Sequence, residues 1–209
     1  MRLILASTSP RRREILALLG VPFEVFAPQF DEKVSAHSTI EEEVLDFAAG
    51  KAESVASNNP GSIVIGSDTM ICLDGEKIGK PSDEADARRI LGLLSGKRHK
   101  IYTSVAIVDG SGGPGRRNLE TVDVDMRHFN TDEIERYLAA GESMDKAGAY
   151  SIQGEGRSLI RAMRGDYLAA VGMPLKPIAD YLKTRGVKAK RDVNEIYQNK
   201  AFQNWRTFG

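Results

Sequence analysis

The stretch SIVIGSDTMICL, residues 62–73, is the most strand-like segment of the chain and sets the starting point for the fold. Its β-branched, apolar residues predict a buried strand, and the LDGEK that closes it predicts a tight turn. Three polar residues, Ser67, Asp68 and Thr69, interrupt the apolar run. Because a buried carboxylate is costly unless it meets a cation or a metal, the pattern favours a functional role for Asp68. Taken alone, it is equally compatible with a cap on a bend or bulge at Gly66.

Upstream of this strand, two further strands are predicted, each followed by a helix. The strands are RLILAS (2–7) and VPFEVFAP (21–28). The first helix, SPRRREILALLG (9–20), has a Ser and Pro start and a terminal glycine. The second, STIEEEVLDFAAGKAESVA (38–56), begins with a capping box. The N-terminal part of the chain therefore interleaves strands and helices.

Downstream, the same criteria predict three helices and two strands. The helices fall at 82–96, 130–141 and 172–186, and the strands near 99–110 and 119–129. Elements interleave too often for separate helical and strand halves, and two consecutive strands before a helix indicate a mixed sheet. We expect an α/β fold with a mixed central sheet flanked by helices.

Composition and charge exclude several classes of partner. The 209 residues include 29 Lys+Arg and 29 Asp+Glu, so no global field would draw the chain to nucleic acid or to an anionic membrane. The single cysteine, Cys72, excludes an internal disulfide framework and a cysteine-rich metal site, and it fits a reducing compartment. No apolar stretch is long enough to cross a bilayer, and no signal peptide is evident. We expect a soluble, cytoplasmic protein in which any anion binding is local.

The N-terminal helix start carries an unusual concentration of positive charge. The first N–H groups of a helix have no internal partners and form the positive end of the helix dipole, which arginines oppose. Arg11 and Arg12 are therefore unfavourable there unless a multiply charged anion is bound, and guanidinium groups suit phosphate oxygens. Together with Ser7 and Ser9 they predict a polyphosphate site, whereas Arg13 alone is typical of a solvated face.

Four further candidates lie elsewhere in the chain. Lys80 precedes a proline, so it takes an extended conformation from which it can project toward a ligand. Glu32 and Lys51 are charged candidates of the same kind, although each of the three, taken singly, is typical of a solvated surface charge. Gln153 lies in the glycine-rich segment MDKAGAYSIQGEG (144–156), where its amide could read the edge of a base. Taken alone, that segment favours a structural loop.

The motifs LASTSPRR, IGSDTM, GKP, LSGKRH and DKAGAYSIQG, in this order and at these separations, closely resemble the Maf family, also called septum formation inhibitor proteins. The resemblance runs from residue 3 to about 182. It implies a mixed sheet between helical layers around a deep cleft, similar to the inosine triphosphate pyrophosphatases. It also implies a nucleoside triphosphate pyrophosphatase that uses a divalent metal, Mg²⁺ or Mn²⁺, and a homodimer.

The resemblance also implies roles for individual residues. Asp68 matches the family's catalytic aspartate, which accepts a proton from the attacking water. Asp68 and Glu32 together match the acidic positions at the metal. The positions that hold the phosphates in the family are matched by Ser9, Arg12, Lys51 and Lys80.

Three positions imply a substrate subgroup. Arg11, Thr69 and Gln153 resemble the members that act on dTTP and UTP, whereas the 7-methyl-GTP subgroup has an aromatic residue, Gln and Glu there. A 7-methyl-GTP-type activity, modified pyrimidine nucleotides, and a nucleotide-binding regulator of septum formation with secondary hydrolysis stay open as alternatives. Ser151 stands where glycine is usual in the family.

The C-terminal residues fall outside the resemblance. We expect a single catalytic domain at 1–186 and a tail at 187–209 that is polar and lysine-rich. The tail also carries Tyr197, Phe202, Trp205 and Phe208. The pattern favours a partly ordered appendage, and packing of these aromatic rings against the body or another subunit is the alternative.

Overall fold

The structure, a computed structural model, describes residues 2–33 and 38–208. Its strands are β1 (Arg2–Ala6), β2 (Glu24–Phe26), β3 (Ser62–Leu73), β4 (Glu76–Ile78), β5 (Arg98–Asp109), β6 (Arg116–Met126) and β7 (Ile160–Arg164). Its α-helices are α1 (Pro10–Ala17), α2 (Ile40–Ala56), α3 (Glu84–Leu94), α4 (Thr131–Ala139), α5 (Tyr167–Val171), α6 (Lys176–Thr184) and α7 (Val193–Asn199). None of the helices in these two ranges is both long enough and apolar enough to span a bilayer.

The strands form one mixed sheet, as the sequence predicts. Its order is β2-β1-β3-β5-β6-β7, with β4 paired to β3. The strand β1 runs parallel to both β2 and β3, and the remaining pairs are antiparallel. The predicted fold class, α/β with a mixed central sheet flanked by helices, is confirmed.

Local signals account for the helix boundaries that the sequence predicted. The Thr39 side chain accepts a hydrogen bond from the Glu42 N–H, and the Glu42 carboxylate accepts one from the Thr39 N–H. The same reciprocal cap, made by Asn130 and Glu133, begins α4. Such caps satisfy N–H groups that the first helical turn leaves without partners. The predicted starts of these helices are therefore confirmed.

The two faces of the sheet are covered differently. On one face, α2 packs its small residues Ala48 and Ala52 against Val64 of β3 and Ile4 of β1. The other face carries the larger core, to which α1, α3, α4, α5 and α6 contribute. Because side chains alternate along a strand, successive residues of β3 point into different layers.

The polar interruption lies within β3 and not at a bend. The ladder between β3 and β5 runs in continuous register from Ile63 to Cys72, so there is no bulge at Gly66. On the opposite edge of β3, β1 pairs only with residues 62–66 and β4 only with 71–73. Among the described strands, none pairs with 67–70 on that edge. Asp68 is therefore held in a regular strand beside an opening in the sheet.

Four of the described strands and α-helices were not predicted from the sequence: β4, β7, α5 and α7. The first three are short, and α7 belongs to the C-terminal tail. The tail, residues 187–208 in the described range, packs against the body, with Trp205 and Ile196 both buried. The favoured interpretation, a partly ordered appendage, is therefore not the one observed; the alternative, packing of the aromatic rings against the body, is.

Candidate active site

A cleft of about 870 Å³ opens beside the unpaired edge of β3. Its walls are the loop after β1 with the start of α1, the middle of β3, α2, the β4 hairpin, the segment 145–153 and the end of α5. A volume of this size is in the range of small-molecule sites. All of the candidate residues line this one cleft: Ser7, Ser9, Arg11, Arg12, Glu32, Lys51, Asp68, Thr69, Lys80 and Gln153. Their individual roles stay predictions.

A lysine joins a carboxylate at the floor of the cleft to a second carboxylate nearer its mouth. The Lys51 Nζ lies 2.5 Å from Asp68 Oδ1 and 2.5 Å from Glu32 Oε1. The side chains of Asp68 and Lys51 are only 9% and 12% exposed, whereas that of Glu32 is 50% exposed. The arrangement places a nearly buried ion pair at the base of the cleft and a second, accessible carboxylate at its mouth.

Asp68 is electrostatically unusual. Burial raises its pKa above the ordinary value, the charges of Lys51 and Arg12 oppose that shift, and the charge of Glu32 adds to it. Burial dominates, so the pKa of Asp68 is raised overall. A carboxylate with a raised pKa in a cleft is a candidate proton acceptor.

Two glycines allow this cluster to form. A Cβ at Gly66 would lie 2.2 Å from the Ala48 carbonyl oxygen, so only glycine lets α2 pack this closely on β3. That contact brings Lys51, one turn further along α2, over Asp68. A Cβ at Gly50 would lie 2.1 Å from the Phe30 ring, so Gly50 leaves room for the loop that carries Glu32. The small residues are therefore a requirement of the site geometry.

Arg12 reaches the cleft from the first turn of α1. Its Nε donates to the Gly172 carbonyl oxygen at 2.9 Å, and its terminal nitrogen donates to Thr69 Oγ1 at 3.2 Å. Desolvation lowers the pKa of Arg12 and the charge of Asp68 opposes this effect. Ser7 and Ser9 form the loop before the helix, where the Ser9 N–H donates to Ser7 Oγ at 3.1 Å. Ser9, the N-cap residue of α1, makes no side-chain capping hydrogen bond.

The remaining candidates lie around the mouth of the cleft and on the wall formed by residues 145–153, the far wall. Arg11 makes an ion pair with Asp145, with 3.5 Å between nitrogen and oxygen. Lys80 is exposed, and Gln153 is buried in the wall at 9% exposure. Arg13 is exposed and does not line the cleft, which agrees with the prediction that it is a solvated charge.

Sequence reasoning missed several cleft residues. Glu43 of α2 is buried and makes an ion pair with Lys77 of β4, and both line the cleft. The Gly172 carbonyl, which accepts from Arg12, was also missed. A backbone acceptor leaves no signature in a side-chain pattern, but the run of three glutamates at 41–43 places one of them on the buried face of an amphipathic helix. That signal could have identified Glu43.

The carboxylates of the cleft suit a divalent metal only when a phosphate-bearing substrate supplies further oxygen ligands. Among the described residues, no group of three or more His, Cys, Asp or Glu side chains could hold a metal ion. Asp68 and Glu32 converge on a single point, now filled by the Lys51 ammonium, and both offer carboxylate oxygens. Mg²⁺ is commonly held by one or two carboxylates plus substrate phosphates. The donor set therefore fits such a cation in the presence of a phosphate-bearing substrate.

The fold and the cleft define an α/β protein with a small-molecule site in which cationic side chains surround a buried carboxylate. The family model described as Maf-like protein matches residues 2–185. The chain therefore belongs to the Maf family, which confirms the resemblance carried by its motifs.

Curated relatives match over most of the chain. A protein of Moorella thermoacetica named dTTP/UTP pyrophosphatase is 43% identical over 186 residues, which cover 89% of this chain and 96% of the relative. A Bacillus cereus protein of the same name is 41% identical over 182 residues, with 87% and 94% covered.

Two solved structures are similar over part of the chain. The Staphylococcus aureus Ham1 protein has a TM-score of 0.43 and 21% identity and covers 60% of this chain and 72% of its own. A HAM1 protein from Coxiella burnetii has a TM-score of 0.41 and 16% identity, with 60% and 73% covered.

Proposed function

We propose that this chain is a nucleoside triphosphate pyrophosphatase that converts dTTP and UTP to the monophosphate and diphosphate. The observation that carries the proposal is the buried Asp68 carboxylate, paired with Lys51 inside a cationic cleft, in a chain more than 40% identical to proteins named dTTP/UTP pyrophosphatase. Membership of the Maf family and the motifs that resemble that family support the same activity.

In this proposal, Asp68 takes a proton from a water that attacks the α-phosphorus. Its raised pKa makes it a better proton acceptor than an ordinary aspartate. Diphosphate leaves on the opposite side, and negative charge develops on the phosphate oxygens. Lys51, Arg12 and Lys80, which all line the cleft, stabilise that charge, and the loop of Ser7 and Ser9 at the start of α1 binds the phosphates.

Glu32 and Asp68 would hold Mg²⁺ or Mn²⁺ with the substrate phosphates. The cation, when bound, neutralises phosphate charge and acts as a Lewis acid. Lys51 contacts both carboxylates and therefore reduces their mutual repulsion at this point of the cleft.

We assign recognition of the nucleotide base to the far wall of the cleft. Gln153 is nearly buried there, and its side-chain amide offers both a donor and an acceptor to a pyrimidine edge. Thr69 accepts hydrogen bonds from Arg12 and from Thr103, each at 3.2 Å, so its contribution is to orient Arg12. Arg11, whose partner Asp145 is exposed, is available at the cleft mouth.

The resemblance also supports three wider proposals. The catalytic domain comprises residues 1–186, the enzyme is a homodimer, and it acts in the cytoplasm on free nucleotides and not on nucleic acid or membranes. Whether it removes abnormal nucleotides or also influences septum formation is a question of cellular role, because both would use one active site.

A substrate panel tests the proposed activity. We expect diphosphate release from dTTP and UTP in the presence of Mg²⁺ or Mn²⁺, and much less from CTP, GTP, ITP and 7-methyl-GTP. Preference for 7-methyl-GTP would retain the chemistry and contradict the assignment of Arg11, Thr69 and Gln153 to the dTTP/UTP subgroup. Tight nucleotide binding without turnover on any substrate would contradict the enzyme and favour the regulator.

Glu32→Gln tests the metal assignment. Removing one of two carboxylate ligands should raise the Mg²⁺ concentration needed for half-maximal activity by about tenfold or more, the order of effect that ligand-sphere changes produce. A magnesium titration of the initial rate measures it. The control is Asp31→Asn, which changes an exposed carboxylate one residue away that is paired with Lys33. Equal magnesium dependence in Glu32→Gln and wild type would remove Glu32 from the metal site.

A further inference from the structure

The C-terminal tail, residues 187–208, touches the wall of the cleft directly. The Asn204 Nδ2 donates to the Gln153 carbonyl oxygen at 2.5 Å. Asn204 has a positive φ of 60°, a conformation that Asn adopts more readily than most residues. The tail therefore contacts the backbone of the residue assigned to base selection, through a side chain suited to its unusual conformation.

The tail also packs against α5 through its aromatic rings. Tyr167, the first residue of α5, stacks on Trp205 with ring centroids 5.3 Å apart and planes 13° apart. Its hydroxyl donates to the Gln203 carbonyl oxygen. Tyr197 of α7 packs edge-on against Trp205, with centroids 5.0 Å apart. These contacts bury Trp205 and join α5 to the tail.

A second contact reaches the start of α5. The Tyr197 hydroxyl donates to Asp166 Oδ2 at 2.6 Å, while Asp166 Oδ1 accepts from the Leu168 N–H at 2.8 Å and so caps the helix. At the other end, α5 ends at Val171, and the carbonyl oxygen of its C-cap residue, Gly172, accepts from Arg12. The tail therefore contacts the N-terminal end of α5. The C-terminal end of the same helix binds Arg12, which we assign to the phosphate site.

A third contact fixes the segment that follows Gln153. Arg157 donates from Nε to Thr207 Oγ1 and from a terminal nitrogen to the Thr207 carbonyl oxygen, both at 3.0 Å. Its guanidinium also lies 4.3 Å from the centroid of the Phe208 ring. The tail is therefore attached on both sides of the cleft wall, at the Gln153 segment and at α5.

We propose that residues 187–208 form a brace that positions the nucleotide-binding wall, with Asn204 as the positioning residue for Gln153. The family match ends at residue 185, so the brace lies beyond the part of the chain that the family model describes. The inference rests on the proposed function, because it assigns the tail to nucleotide binding by that same site. Asn204 lies behind the wall and acts through Gln153, not on the substrate.

Asn204→Asp tests the brace with a minimal change. Aspartate keeps the size and the tolerance for positive φ, but its carboxylate cannot donate to the Gln153 carbonyl. We expect the KM for dTTP and UTP to rise about two- to tenfold, the effect of one lost hydrogen bond, with kcat near the wild-type value. We also expect faster amide hydrogen exchange across residues 144–156, because local opening is easier when a contact is lost.

The matched control is Gln203→Ala in the neighbouring position. The Gln203 side chain is exposed, and the contact with Tyr167 uses only the backbone carbonyl, which the substitution retains. If either KM or exchange at 144–156 is unchanged in Asn204→Asp, or if Gln203→Ala reproduces both changes, the brace is overturned. Failure of the proposed function is seen separately, as absence of diphosphate release by the wild-type enzyme.

Discussion

Asp68→Asn should abolish diphosphate release from dTTP and UTP while leaving nucleotide binding intact. The amide has nearly the same shape as the carboxylate but cannot accept a proton, and a positioned general base contributes about 10²- to 10⁴-fold to rate. Measured without added metal, binding should be retained or strengthened, because the substitution removes a negative charge next to bound phosphates while Lys51 keeps its contact with Glu32. Turnover by diphosphate assay and affinity by calorimetry measure the two effects.

The control for Asp68→Asn is Asp46→Asn. Asp46 lies on α2 but is exposed, does not line the cleft, and pairs with Arg117 at 3.1 Å. We expect wild-type kinetics for it. Turnover near the wild-type rate in Asp68→Asn would remove Asp68 from the mechanism. Loss of affinity comparable to the loss of turnover would assign Asp68 to binding instead of proton transfer.

Two of the candidate residues that line the cleft, Asp68 and Arg12, have local patterns that a purely structural role does not explain. Asp68 interrupts an apolar strand, and Arg12 opposes the helix dipole at the start of α1. Each pattern costs free energy unless a partner is present, and in the structure each side chain has partners across the cleft. Local inconsistency is therefore informative about where a site lies.

The partners of those residues could not be predicted in the same way. Lys51 is an ordinary helical lysine by pattern, and its position over Asp68 depends on how closely α2 approaches β3 at Gly66. The sequence shows the glycine but not which helix packs over it. Without the resemblance to a family, Lys51 and Glu32 would have stayed two surface charges.

The secondary structure was predictable where signals are strong and local. The capped helices α2 and α4 and the long strand β3 belong to this group. The short elements β7 and α5 have five residues each, too few to show a period, and their positions are set by tertiary contacts. The tail illustrates the same limit, because its aromatic rings had no predictable partner until Tyr167 was placed beside them.

Lys51→Met should reduce kcat for dTTP and UTP by about 10²- to 10³-fold, the usual cost of removing one preorganised electrostatic group from an active site. The substitution leaves the Asp68 and Glu32 carboxylates without the cation that both contact at 2.5 Å. It also removes a charge that we assign to the phosphate oxygens. The control is Lys33→Met, which changes an exposed lysine 3.6 Å from Asp31. A wild-type kcat in Lys51→Met would exclude Lys51 from transition-state stabilisation.

The pH profile of the same variant distinguishes the electrostatic role of Lys51 from simple packing. A general base works when deprotonated, so activity falls as the pH drops through the pKa of Asp68. Burial raises that pKa and the charge of Lys51 lowers it, so removing the charge raises the pKa further. The acid limb of kcat/KM should therefore move to higher pH in Lys51→Met, and raising the pH should recover part of the lost rate. Lys51→Arg keeps the charge and should leave the limb near its wild-type position. An acid limb that does not move in Lys51→Met would mean that the group titrating in the wild-type profile is not Asp68.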